Sequence, residues 1–123
     1  MKQNKIFFSS FEKAVMEKFF NDRIDDVMTI LKQQYKKSKV ESRWFSGKGF
    51  FITFDIPRGV PYVKKSVHIT GVEGRVNGIE VGFMLHVKEG YLKFLEGFTY
   101  DEPWPAEITS YELWADKEER ERK

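Results

Sequence analysis

Hydrophobic residues recur along this chain with two periods, and the change from one to the other falls near Val40. Phe11, Val15, Phe19 and Phe20 follow Ser9 and Ser10 at helical spacing, which predicts a helix from about Ser10 to Phe20. Ser10 with Lys13 lacks the acidic partner of a capping box. Ile24, Val27, Met28, Leu31 and Tyr35 draw a second apolar stripe. Asn21 or Asp22 is its expected cap, with Asp25 and Asp26 at the positive end and Lys36 and Lys37 at the negative end.

From Val40 onward apolar and polar residues alternate, so the remainder reads as sheet. Phe50, Ile52, Phe54 and Ile56 share one face of a strand running from Gly49 to Pro57, with Phe51, Thr53 and Asp55 on the other. Val40 to Phe45 joins it through Ser46-Gly47-Lys48-Gly49 as a hairpin, and Arg58 to Lys65 forms a loop expected to be a functional rim. Val67 to Val76, Ile79 to Lys88 and Tyr91 to Tyr100 give a meander turned at Asn77-Gly78 and Glu89-Gly90. Ile108 to Trp114 adds an edge strand, and Asp116 to Lys123 is a mixed-charge tail expected to be frayed helix. The predicted fold class is α+β: N-terminal helices packed on an antiparallel meander sheet of about five or six strands, in one domain over residues 1–115.

Register singles out one carboxylate. With Glu89-Gly90 as a two-residue loop, Val87 faces Leu92, Leu85 faces Phe94 and Val81 faces Phe98, while His86 faces Lys93. Glu96 then lies opposite Phe83 on the core face, where a charge is costly unless it is paired. Arg43, His68 and Arg75 are its candidate partners, and the alternative is a bulge at Gly97 that turns Glu96 to solvent. In the same register Gly82 and Gly97 oppose each other and leave a groove.

Composition narrows the chemistry further. The 123 residues carry 16% aromatics and 33% charged residues, enough for one aromatic core. The absence of cysteine removes disulfides, zinc thiolates and a Cys nucleophile, and with no apolar leader or span the expectation is a cytoplasmic protein outside the membrane. A net charge of +2 gives no support to a nucleic-acid surface. Lys32, Lys36, Lys37, Lys39, Arg43 and Lys48 near Tyr35, Trp44 and Phe45 read as a solvated helix end before they read as a single-strand binding stretch.

His68 and His86 fall in separate strands without metal-ligand spacing, so neither a metal nor a cofactor is expected. No nucleophile elbow or serine-histidine order is present, and acid/base work by Glu96 would need a second group, for which Asp101 and Glu102 are nearest in sequence. Trp104, held between Pro103 and Pro105, is either a lid on the core or a partner hot spot.

The stretches Ser42-Arg43-Trp44-Phe45-Ser46-Gly47-Lys48-Gly49-Phe50-Phe51, Gly82 to Tyr91, and Leu95-Glu96-Gly97-Phe98-Thr99-Tyr100-Asp101-Glu102-Pro103-Trp104-Pro105 resemble a family of small bacterial proteins of unknown function, over about Leu31 to Leu113. The sheet segment is also similar to small immunity proteins of bacterial toxin systems. What the resemblance implies is a fold and a residue cluster. The expected function is a macromolecule-binding module, immunity-like or accessory, in preference to an enzyme. Its contact surface would be built from Arg43, His68, Glu96, Tyr100, Asp101 and Trp104. The alternative is a ligand or enzymatic pocket in which Glu96 is the acid/base or anchor, Arg43 the anion contact, and Trp104 or Tyr100 the wall. The partner would be another protein, and a homodimer stays open.

Overall fold

A computed structural model describes residues 6–21, 23, 25–115 and 121–122, the last two by backbone alone. Helix α1 covers Ser10–Asn21 and α2 covers Asp26–Lys37. The α1 cap is a capping box one residue earlier than the Ser10 frame: the Glu12 amide donates to Ser9 Oγ and the Ser9 amide to Glu12 Oε1. The cap of α2 is Asp25 instead of Asn21 or Asp22, its carboxylate accepting from the Met28 amide at 2.9 Å. Burial works to raise the Asp25 pKa, but the Met28 amide and the Arg23 ion pair outweigh it and hold the carboxyl below its ordinary value.

The strands are β1 Lys39–Phe45, β2 Gly49–Asp55, β3 Val67–Val76, β4 Ile79–Lys88, β5 Tyr91–Thr99 and β6 Tyr111–Ala115, with a short β7 at Glu121–Arg122. All pairings are antiparallel, in the order β1-β2-β5-β4-β3-β6, and β7 also pairs β3. Glu121 and Arg122 are therefore strand and not frayed helix; the rest of the predicted tail, residues 116–120 and 123, lies outside the described residues. Asn77 and Gly78, and Glu89 and Gly90, all have positive φ, as two-residue hairpin turns that match strand twist require.

Both helices pack on one face of the sheet. Val15, Met16, Met28 and Leu31 meet Ile52, Phe83, Leu85 and Leu95 in a single core, each at most 2% exposed. Gln34 is fully buried in the same layer: its Nε2 donates to the Pro61 and Gly90 carbonyls and its Oε1 accepts from the Leu92 amide. The loop expected to be a functional rim is thereby strapped down, with Val60 and Val63 buried and the Val63 amide bonded to Gly90 O. No helix among the described residues is long and apolar enough to cross a membrane.

Tyr35 sits between Phe8 and Phe20, with ring centroids at 5.3 and 5.8 Å. Burial, reinforced by the Glu17 and Glu12 carboxylates, pushes its phenol up to about 12. The unfolded phenol titrates near 10, so between about pH 10 and 12 the native state keeps a proton that the unfolded chain has lost, and stability falls as pH rises. Urea midpoints taken across that window are expected to drop further for the wild type than for Tyr35→Phe; parallel declines would place the loss elsewhere.

Candidate functional site

Three bulges decide which side chains share a face. Glu41 is the extra residue between Val40↔Phe54 and Ser42↔Thr53. Thr70 and Gly71 stand against Met84 between Ile69↔Leu85 and Val72↔Phe83. In β5, Lys93 is extra between Val87↔Leu92 and His86↔Phe94. Each reverses strand parity, and bulges of this kind re-aim side chains next to functional sites.

The Lys93 bulge overturns the predicted register. Val87 does face Leu92, but beyond the bulge Leu85 faces Leu95 instead of Phe94, and Val81 faces Thr99 instead of Phe98. Glu96 accordingly lies opposite Met84 on the outer face, half-buried, and not opposite Phe83 in the core. A bulge does turn it outward, at Lys93 and not at Gly97. Gly82 and Gly97 do not oppose each other: Phe98 and Tyr100 cover Gly82 on the outer face, and the Phe50 ring covers Gly97 on the core side.

The partner of Glu96 is His86, which none of the predicted candidates named: Nε2 stands 2.8 Å from Glu96 Oε1. His86 Nδ1 in turn stands 2.7 Å from Nδ1 of His68, the residue directly opposite on β3. An ionised carboxylate only accepts, so with both rings neutral His86 Nε2–H donates to Glu96, His86 Nδ1 accepts, and the proton between the rings is that of His68. His86 and Glu96 retain 20% and 26% of side-chain exposure, so this chain of groups is in contact with water.

A row of rings crosses five strands beside it. Trp44, Phe51, Phe94, His86 and His68 follow one another with centroid separations of 6.0, 5.7, 6.0 and 4.6 Å. Trp44 is 60% exposed. Lys93 Nζ lies over the Phe94 ring at 5.7 Å, and Phe98 and Tyr100 extend the aromatic surface towards Gly82. Burial and the Glu73 and Glu80 carboxylates raise the Tyr100 phenol above its ordinary value.

Arg43 and Trp104 belong to a different place, on the helix side. Arg43 Nε and Nη2 clamp Glu12 at 2.8 Å each, and Nη2 also donates to the Phe7 carbonyl. Those hydrogen bonds to Glu12 raise the Arg43 pKa. Trp104 packs edge-on against Phe50 at 5.1 Å and near Phe11 at 6.4 Å, which makes it a lid on the core rim. Arg43, Phe45, Trp104 and Tyr111 line a cleft of about 760 Å³ at the start of α1. The single pocket expected from Glu96, Arg43, Trp104 and Tyr100 is thus two separate surfaces. Asp101 is exposed in the loop after β5 and lines neither the cleft nor the hollows that touch His68.

The sequence reading missed His86 and Glu12 as partners. A signal for the first was present: Leu95 is apolar on the parity opposite Leu92, so moving the register by one residue after Lys93 buries Leu95 and releases Glu96 together. No family model, curated protein or solved structure matches this chain.

Proposed function

We propose that this chain is a protein-binding module, immunity-like or accessory in role, that docks its partner on the open face of the sheet. The row of rings from Trp44 to His68 supports this reading: one sheet face is covered by two helices, and the other presents contiguous aromatic surface. Contiguous exposed apolar surface of this kind is typical of interaction sites, and large aromatics dominate binding energy where they are desolvated by a partner. Glu96, His86 and Lys93 would supply the polar contacts that fix orientation.

Trp44 tests the reading better than Trp104, because it is 60% exposed and its loss leaves the core intact. Affinity capture from cells that naturally make the protein is expected to recover a stoichiometric partner with the wild type. Trp44→Ser should lose it, at least tenfold in affinity as for a hot-spot aromatic, with an unchanged urea midpoint. Equal recovery by both would move the interface off this face, and a shift of the wild type alone to a dimer in sedimentation would make the partner a second copy.

A second reading is favoured by the Glu96, His86 and His68 chain: a ligand or catalytic site in the hollow lined by His68 and His86, with Glu96 behind them. With both rings neutral the carboxylate fixes the His86 tautomer, which leaves Nε2 of the exposed His68 as an acceptor suited to taking a proton from a bound molecule.

A further inference from the structure

Residues directly opposite on antiparallel strands hold their Cβ atoms about 5 Å apart on one face, so two histidines there can turn ring nitrogens towards a single point. His68 and His86 do so. They are paired across β3 and β4, their rings lie at 84° to each other, and their Nδ1 atoms are 2.7 Å apart. His86 is further held by Glu96 on its remote nitrogen, the carboxylate–imidazole arrangement that orients histidine ligands in metal sites. The linear spacing of His68 and His86 conceals this, because the pairing depends on the Thr70-Gly71 bulge, without which His68 would face Val87.

We propose that His68 and His86 form a two-histidine chelate for a late first-row divalent cation, Cu2+ ahead of Zn2+, with Glu96 as the positioning residue. Two bare lone pairs cannot face each other at this distance, so in the metal-free protein a proton lies between them, that of His68 when both rings are neutral. The cation takes its place: His68 moves that proton to Nε2, both Nδ1 lone pairs bind the ion, and the neutral pair releases no net proton. Metal–nitrogen bonds of about 2.0 Å at a right angle set the nitrogens about 2.8 Å apart, and a tetrahedral angle sets them about 3.3 Å apart. The observed separation needs only a small opening for a tetragonal ion and a larger one for a tetrahedral ion. The order of intrinsic affinities points the same way, Cu2+ above Zn2+.

Among the described residues no group of three metal-binding side chains is present, so the remaining positions face outwards to water or an added ligand. His68 borders two hollows. One, of about 670 Å³, is lined also by Lys65, Lys88 and Lys93, and the other, of about 380 Å³, by Thr70, Glu73 and Tyr100. The lysines oppose a bare cation and favour one that carries an anionic ligand. Thr70 Oγ1 is buried with no hydrogen-bond partner among the described residues. With two protein ligands and these lysines the affinity expected is micromolar.

The test is titration calorimetry of the full chain with CuCl2 and with ZnCl2 near neutral pH, on the wild type, His68→Ala and Glu96→Gln. One equivalent should bind to the wild type, Cu2+ more tightly. His68→Ala, at an exposed position, should weaken binding at least tenfold, and Glu96→Gln about tenfold through the lost orienting charge. Nitrogen NMR with Zn2+ should move the Nδ1 resonances of both histidines. The proposal is overturned by equal binding to wild type and His68→Ala, by absence of saturable binding below about a millimolar, or by shifts at His68 Nε2 alone.

Discussion

Gln34→Ala is expected to destabilise the protein by about 3 to 5 kcal/mol, enough to remove a large part of the stability of a domain this size. Gln34 has no exposed surface and satisfies groups in two other elements at 2.9 to 3.0 Å. The ladder between β2 and β5 ends at Thr53 opposite Phe94, so the Leu92 amide lies beyond it and Gln34 Oε1 takes the role of the missing strand. Without the side chain, that buried amide is left unsatisfied at about 1 to 3 kcal/mol, the part-buried Pro61 carbonyl loses a partner at a smaller cost, and a cavity adds to the total. Gly90 O keeps its bond from the Val63 amide, which limits the total. Gln34→Met separates the contributions, since it fills the volume without the hydrogen bonds. Urea denaturation should place Met between wild type and Ala, and a Met variant as stable as wild type would mean the amide acts only by filling space.

Gly49→Ala is expected to cost about 3 kcal/mol, because overpacking against backbone cannot be relieved by a rotamer change. A Cβ at Gly49 would run into the carbonyl oxygen of Gly97, with Phe98 Cα 3.1 Å away, so β2 and β5 would have to separate. Gly47 provides the comparison. Its φ of 90° disfavours a side chain but nothing lies within 4 Å, so Gly47→Ala should cost only about 1 kcal/mol. If the two variants unfold at the same denaturant concentration, steric contact at the seam is not what demands glycine there.

Most elements were legible in the sequence, for physical reasons that can be named. The stripe from Val27 to Tyr35 and the alternation from Phe50 to Asp55 are forced by burial on one side only, and their boundaries in the structure fall within a few residues of the pattern. Registers were not legible to the same degree. A bulge adds one residue without any special residue type, so Leu92 and Phe94 keep the same parity in sequence and lose it in space. The site was obscured for that reason: Glu96 was singled out, but its face and its partner each turned on a bulge. Trp104 was read with two outcomes, and its contacts with Phe50 and Phe11 are those expected of the lid. The Ser9 and Glu12 cap differs from the Ser10 frame by a single residue, and the same Glu12 ties Arg43 to the helix start, away from Glu96.

The strand order has a kinetic consequence. Strands β3, β4 and β5 are joined by two tight turns and need only local closure, as does the β1 and β2 hairpin. The pairing of β2 with β5, in contrast, closes a loop that contains the whole of β3 and β4, and its entropy is lost before the pairing returns any energy. Two locally formed pieces therefore meet last along a single line, where Gly49 lies against Gly97. Changes confined to that line should accelerate unfolding more than they slow folding. The protein's lifetime in the folded state is governed at the junction between its halves, while its speed of folding is governed inside them.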